Sequence, residues 1–168
     1  YVLNSPILSN NQFEKFVSLF DKNNKTIDCT FKSDEDIQTK LNSIKLEAEI
    51  YVRQGVTQII LSDKNVSREN YPVPMLLCIG AVHTHLTKMK LRGYVSINVQ
   101  TGEALDTHSF ATLIGVGATT VNPYLALDSL YQRFEKKLFD KFLYEECVER
   151  YVKSVNLGLL KIMSKMGI

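Results

Sequence analysis

Residues 93–123 read GYVSINVQTGEALDTHSFATLIGVGATTVNP, and the fold turns on how this stretch is divided. GYVSINVQ (93–100) predicts a strand and TGEALD a turn. Asp106 or Thr107 then caps a helix that carries Phe110, Leu113 and Ile114 and stops at Gly115 or Gly117. TTVN (119–122) predicts a second strand, ended by Pro123. A strand, a helix and a strand in so short a span form the unit from which parallel sheets are built.

The same alternation extends upstream. VTQIIL (56–61) predicts a strand, and SDKNVSRENYPVP a loop whose prolines, 72 and 74, help start a helix over 74–90 that is apolar around much of its circumference. TIDCTF (26–31), short and rich in β-branched and aromatic residues, predicts the first strand. A helix should follow from Ser33 as N-cap to a stop at Gly55, with Asp34, Glu35 and Asp36 at the positive end of its dipole. Its apolar positions Ile37, Leu41, Ile44, Ala48 and Tyr51 make one buried face. Before all of this, Ser9 and Gln12 have the capping-box spacing ahead of Phe13, Phe16, Val17 and Phe20. Downstream, two or three helices fill 124–166, the last carrying Val148, Val152, Val155, Leu159, Ile162 and Met166 at spacings of four and three.

Four strand-helix units in succession imply an α/β fold, a parallel β-sheet of βα repeats equal to half of a (β/α)8 barrel. Chemistry in such folds collects at the carboxyl ends of the strands, here expected at Lys32, Ser62-Asp63, Gln100-Thr101 and Asn122.

The totals set bounds. The 168 residues, 45% hydrophobic and 23% charged, fit one globular domain, 1–168. Twenty basic against eighteen acidic residues leave +2, and the basic ones are scattered, so neither nucleic acid nor an anionic membrane is the expected partner. Cys29, Cys78 and Cys147 are far apart and form no CxxC pair, which argues against a disulfide framework or thiolate metal site and for a reducing compartment. No apolar run approaches the length of a membrane span, and the first residues lack a secretory signal. Both ends read as mid-protein sequence.

Candidate chemistry is sparse. His83 and His85 in VHTHL have a metal-ligand spacing only if they lie on a strand. The helical spacing of Ile79, Val82, Leu86 and Met89 turns them apart, so one buried and one exposed histidine is the expectation. His108 in the first turn of its helix suits a capping bond better than catalysis, and Asp63 suits a turn cap better than a ligand contact. GVGA (115–118) follows a helix rather than a strand, the wrong context for a dinucleotide fingerprint. Lys161 and Lys165 share a helix face with Ser154 and Gly158; they either complement the negative end of the dipole or receive an anion.

Four stretches together carry more. LSDK (61–64) with PVPMLLCIGAVHTHL (72–86), HSFATLIGVGATTVNPYLA (108–126) and GLLKIMSKMGI (158–168) resemble the central domain of the large subunit of glutamate synthase, and the resemblance runs from NSPILSN (4–10) to the last residue. The sequence departs from the family pattern at Lys64, Thr84, Ser109 and Val116. The resemblance implies a degenerate version of the family's FMN-binding barrel, with 158–168 at the seam to the synthase domain. It further implies a parent enzyme that makes glutamate from glutamine and 2-oxoglutarate, using FMN and an iron-sulfur cluster that this segment does not hold. The implied partners are the flanking amidotransferase and FMN-binding synthase domains, with an ammonia tunnel between them; the implied location is the cytoplasm or a plastid. Lys165 matches the family position associated with the 2-oxoglutarate carboxylate, and no catalytic residue is implied. Two alternatives stand beside this: a half-barrel enzyme that binds an anionic metabolite through His108 and Asp63, and an independent protein-interaction module.

Overall fold

The structure, a computed structural model, describes residues 3–139 and 141–168. Four strands, β1 (Asn24–Asp28), β3 (Gln58–Ser62), β5 (Ser96–Gln100) and β6 (Thr120–Asn122), form one parallel sheet in the order β1-β3-β5-β6. Residues Asp28, Ser62 and Gln100 lie in register, with Asn122 opposite Gln100. Three helices connect consecutive strands: α2 (Ile37–Arg53), α3 (Met75–Lys88) and α4 (Thr107–Gly115). Two more, α5 (Tyr124–Glu135) and α6 (Tyr144–Met166), follow the sheet, and α1 (Asn10–Phe20) precedes it. The order is sequential, as in one side of a barrel, and among the described residues the sheet does not close.

Sequential order decides where the helices go. When successive parallel units all cross over with the usual right hand, each helix falls on the same face of the sheet. That face carries Ile27, Ile59, Leu61, Ile97, Val99 and Val121, in one buried cluster with Ile44 and Ala48 of α2, Ile79 and Val82 of α3, Phe110 of α4 and Val155 of α6. The opposite face carries Gln58, Ile60, Ser62, Asn98, Gln100, Thr120 and Asn122. Among the described residues, α1 and the segment before it pack on that face, Phe13, Phe16 and Leu8 clustering with Ile60. Residues 6–8 also run beside β6: the Leu8 N–H donates to the Val121 carbonyl at 2.9 Å and the Val121 N–H to the Pro6 carbonyl at 2.8 Å.

Several expected boundaries move. TIDCTF is not one strand: the chain breaks at Cys29, and Thr30–Lys32 becomes β2, antiparallel to β4 (Asn70–Pro72) in the stretch read as loop. Lys32 therefore lies on this ribbon, and the parallel strand ends at Asp28. Asp36, rather than Ser33, caps α2, accepting from the Thr39 N–H at 2.9 Å, because Glu35 N–H bonds back to the Lys32 carbonyl and holds 33–35 in a turn. The apolar stripe of α6 is buried at Val155 and Leu159, but Met166 is 68% exposed. A 23-residue helix is about 34 Å long and a five-residue strand about 17 Å, so the helix outruns the layer it covers.

The expected cap of α1 and the expected glycine stops of α2 and α4 hold. Both capping-box bonds of Ser9 and Gln12 are present. Gly55, at φ 90°, follows the end of α2, and Gly117, at φ 124°, that of α4. Cys29, Cys78 and Cys147 are free thiols. Among the described residues no helix is long and apolar enough to cross a membrane.

Candidate functional site

The carboxyl ends of β3, β5 and β6 each present a polar side chain on the face that carries few helices. The Ser62 hydroxyl donates to Gln100 Oε1 at 2.9 Å, and Gln100 Nε2 donates to Asn122 Oδ1 at 3.3 Å. Asn122 Nδ2 donates to the Leu8 carbonyl and to Asn10 Oδ1, both at 3.0 Å. A second row lies one pleat back: Thr120 Oγ1 donates to Asn98 Oδ1 at 2.8 Å, and Asn98 Nδ2 to Gln58 Oε1 at 3.0 Å. Asn98 and Asn122 are fully buried. A buried amide without partners costs on the order of 1–3 kcal/mol, so the rows are tolerated because each member satisfies the next. A cleft of about 420 Å3 opens over the carboxyl edge, between the first row, α1 and the start of α5.

Asp63 belongs to the loop after β3 and is 2% exposed. Its carboxylate accepts from Thr101 Oγ1 at 2.5 Å and from the Gly102 N–H at 3.1 Å, which ties the exit of β3 to the exit of β5. Burial, with the Asp63 charge and hydrogen bond beside it, pushes the Tyr124 phenol well above its ordinary range. At the next strand end, Asp28 accepts from the Thr30 N–H at 2.9 Å, from Thr30 Oγ1 at 2.8 Å and from Asn65 Nδ2 at 2.9 Å. Glu103 accepts from the Met75 N–H at 3.1 Å and so caps α3 from across the fold.

The histidines and lysines singled out in the sequence do not gather with these strand-end residues. Asp63 fixes two loops instead of capping its own turn, while His108 stands exposed in the first turn of α4. His83 and His85 are both half-buried, not one in and one out, because each has a partner on its own side of α3. His83 Nδ1 accepts from Arg92 Nε at 3.1 Å, and His85 Nε2 lies 2.6 Å from Glu49 Oε2 on α2. Lys161 and Lys165 are exposed near the end of α6. Gly158 is more than a gap in a polar face: a β-carbon there would lie 2.5 Å from Thr107 Cγ2, so it sets how closely α6 approaches α4.

Sequence reasoning placed Gln100 and Asn122 at strand ends but missed that they join each other, and missed Asn98, Thr120 and Glu103 altogether. The signal was present: polar residues at every second position of β5 and β6 mark a face that helices do not cover.

The model of the glutamate synthase central domain matches residues 1–168. The chain belongs to the glutamate synthase central domain family. It is 44% identical over 169 residues to the glutamate synthase (NADPH) large chain of Azospirillum brasilense, covering 99% of this chain and 11% of that protein. It is 42% identical to the glutamate synthase (NADPH) large chain of Bacillus subtilis (strain 168), with the same coverage. To the chloroplastic ferredoxin-dependent glutamate synthase of Spinacia oleracea it is 35% identical, again covering 99% of this chain and 11% of that protein. The central domain thus spans about a ninth of the length of these relatives, which contain much beyond it.

Proposed function

We propose that this central domain braces a glutamate synthase, holding a glutamine amidotransferase domain and an FMN-binding synthase domain in register and helping to wall the ammonia tunnel between them. The parent forms glutamate from glutamine and 2-oxoglutarate, with FMN and an iron-sulfur cluster held by other parts of the polypeptide, in the cytoplasm or a plastid. The observation that carries this reading is the match along all 168 residues to a domain that makes up 11% of glutamate synthase large chains. Positioning two sites is itself a catalytic contribution, because a transferred intermediate that stays bound between sites reacts at a far higher effective concentration than one released to solvent.

Residues 158–168 form the seam to the synthase domain, and Lys165 contributes a cation to the 2-oxoglutarate carboxylate there. Supporting the bracing role, α6 leaves Leu157, Leu160 and Met163 exposed along one side, apolar surface of the kind that marks an interface, with Met166 and Ile168 exposed at its end. The rival reading, an enzyme that works through His108 and Asp63, is disfavoured by the occupied carboxylate of Asp63, already satisfied by Thr101 and Gly102. The test is coupling in the full-length large chain. With Leu157→Glu and Leu160→Glu, glutaminase activity and ammonia-dependent synthesis should persist while glutamine-dependent synthesis falls and free ammonia accumulates. Unchanged coupling would overturn the bracing role of this face.

A further inference from the structure

The cleft over the carboxyl edge of the sheet has a chemistry that bracing does not require. Its volume, about 420 Å3, lies in the range of small-molecule sites. Phe13 and Val17 of α1 supply apolar lining, and Asn10, Gln100 and Asn122 supply amides. Lys64, Glu14 and Asp128 reach it from three different elements: the β3 exit loop, α1 and α5.

The amide row has a direction. The Leu8 carbonyl can only accept, so it holds Asn122 Nδ2 toward itself, which turns Asn122 Oδ1 to Gln100 Nε2 and Gln100 Oε1 to the Ser62 hydroxyl. Each amide oxygen, at Gln100, Asn122 and Asn10, accepts from the preceding member of the row. What remains unmatched is donors: the second Nε2 hydrogen of Gln100 and the Nδ2 hydrogens of Asn10, which have no acceptor among the described residues. Those donors and the Lys64 ammonium suit an anionic group. Glu14 and Asp128, lining the same cleft, suit a cationic one.

We propose that this cleft binds a small zwitterion with the chemistry of a free α-amino acid, its carboxylate on Lys64 and the amide N–H groups of Gln100 and Asn10, its ammonium on Glu14 and Asp128. A ligand bearing only negative charge leaves two carboxylates facing it, since Lys64 is the only cation among the described lining residues. A ligand bearing only positive charge meets the outward donors. The apolar wall of Phe13 and Val17 accommodates a short aliphatic side chain. This assignment goes beyond the bracing role and does not depend on it.

The experiment is saturation-transfer NMR on the full-length large chain with three probes of similar size: L-norvaline as zwitterion, pentanoate as anion and butylamine as cation. Norvaline should give the strong signal. Lys64→Gln, and separately the pair Glu14→Gln with Asp128→Asn, should weaken its binding about tenfold, the factor that loss of one charge-assisted contact carries. All of these side chains are exposed, so the variants should keep the fold and the parent's glutamate formation. A norvaline signal that survives in both variants places the binding elsewhere and overturns the proposal. So does the absence of a signal in the parent, or a pentanoate or butylamine signal equal to that of norvaline.

Discussion

A β-carbon on Gly117 would lie 2.5 Å from Nδ1 of His83. That nitrogen already accepts from Arg92 Nε at 3.1 Å, while Arg92 Nη1 donates to the Val95 carbonyl at 2.6 Å and Nη2 to the Gly117 carbonyl at 2.9 Å. One half-buried guanidinium thereby joins the last turns of α3, the lead into β5 and the turn after α4. Gly117 also has φ 124°, where a side chain is strained whatever the space around it. Gly117→Ala should cost about 2–3 kcal/mol, combining backbone strain with displacement of the imidazole. Urea unfolding of the variant should show the midpoint fall with the slope unchanged.

Gly158 presents a different balance, because it lies within α6 and has no unusual φ. Replacing a mid-helix glycine with alanine gains about 1 kcal/mol of helix propensity. Against that, the new methyl would lie 2.5 Å from Thr107 Cγ2 and 2.7 Å from its Oγ1, and overpacking of this kind costs about 1–3 kcal/mol. The steric cost should prevail, leaving Gly158→Ala about 1 kcal/mol less stable. Thr107→Ala in the same chain should recover most of that loss. A double-mutant cycle by thermal unfolding measures the coupling, and strict additivity would show that the two helices do not touch there.

The parallel sheet, its strand order and the helices were legible in the sequence, because the period of the apolar residues changes between two and near three and a half; the division of 124–166 into α5 and α6 was legible only as two or three helices. The break at Cys29 was not legible, since TIDCTF alternates through it and its one turn former, Asp28, falls on a polar position of that pattern. Asp28 turns the chain locally by accepting from the Thr30 N–H at 2.9 Å, and the Cys29 carbonyl, accepting from the Val73 N–H at 2.8 Å, directs it onto β4. The polar rows were hidden for a related reason. Asn98, Gln100 and Asn122 could each be read as a strand-end or solvent-facing residue, and only register shows that they meet.

Asp28 gives the domain a pH dependence of definite sign. Burial acts to raise its carboxyl, but the hydrogen bonds from Asn65 and Thr30, helped by the charge of Lys40, outweigh it and hold the group below its ordinary value of 3.8. The folded state therefore binds this proton less readily than the unfolded chain. The stability Asp28 contributes is fully present above pH 3.8 and is lost as the pH falls through the lowered folded value. Asp28→Asn should be less stable than the parent at neutral pH, with the two curves converging below pH 3.8. Denaturant unfolding at a series of pH values reads this directly, and a difference that stays constant down the acid limb would mean that the carboxylate charge plays no part.

Lys165 can be decided between its two readings by one pair of substitutions. It stands in the last turn of α6, which Gly167 closes at φ 76° with its N–H directed to the Ser164 carbonyl, and Ile168 N–H returns to the Met163 carbonyl. A lysine there interacts with the negative end of the helix dipole, worth about 0.3–1 kcal/mol of stability and nothing to catalysis. A lysine that meets the carboxylate of 2-oxoglutarate at the seam instead contributes about 1.5–3 kcal/mol to substrate binding. In the full-length large chain, Lys165→Gln should raise the KM for 2-oxoglutarate about tenfold or more while leaving glutaminase activity and the melting temperature nearly unchanged. Lys161→Gln, one turn earlier on the same face, should leave that KM alone. If both variants lose a little stability and neither changes KM, Lys165 serves the helix end alone.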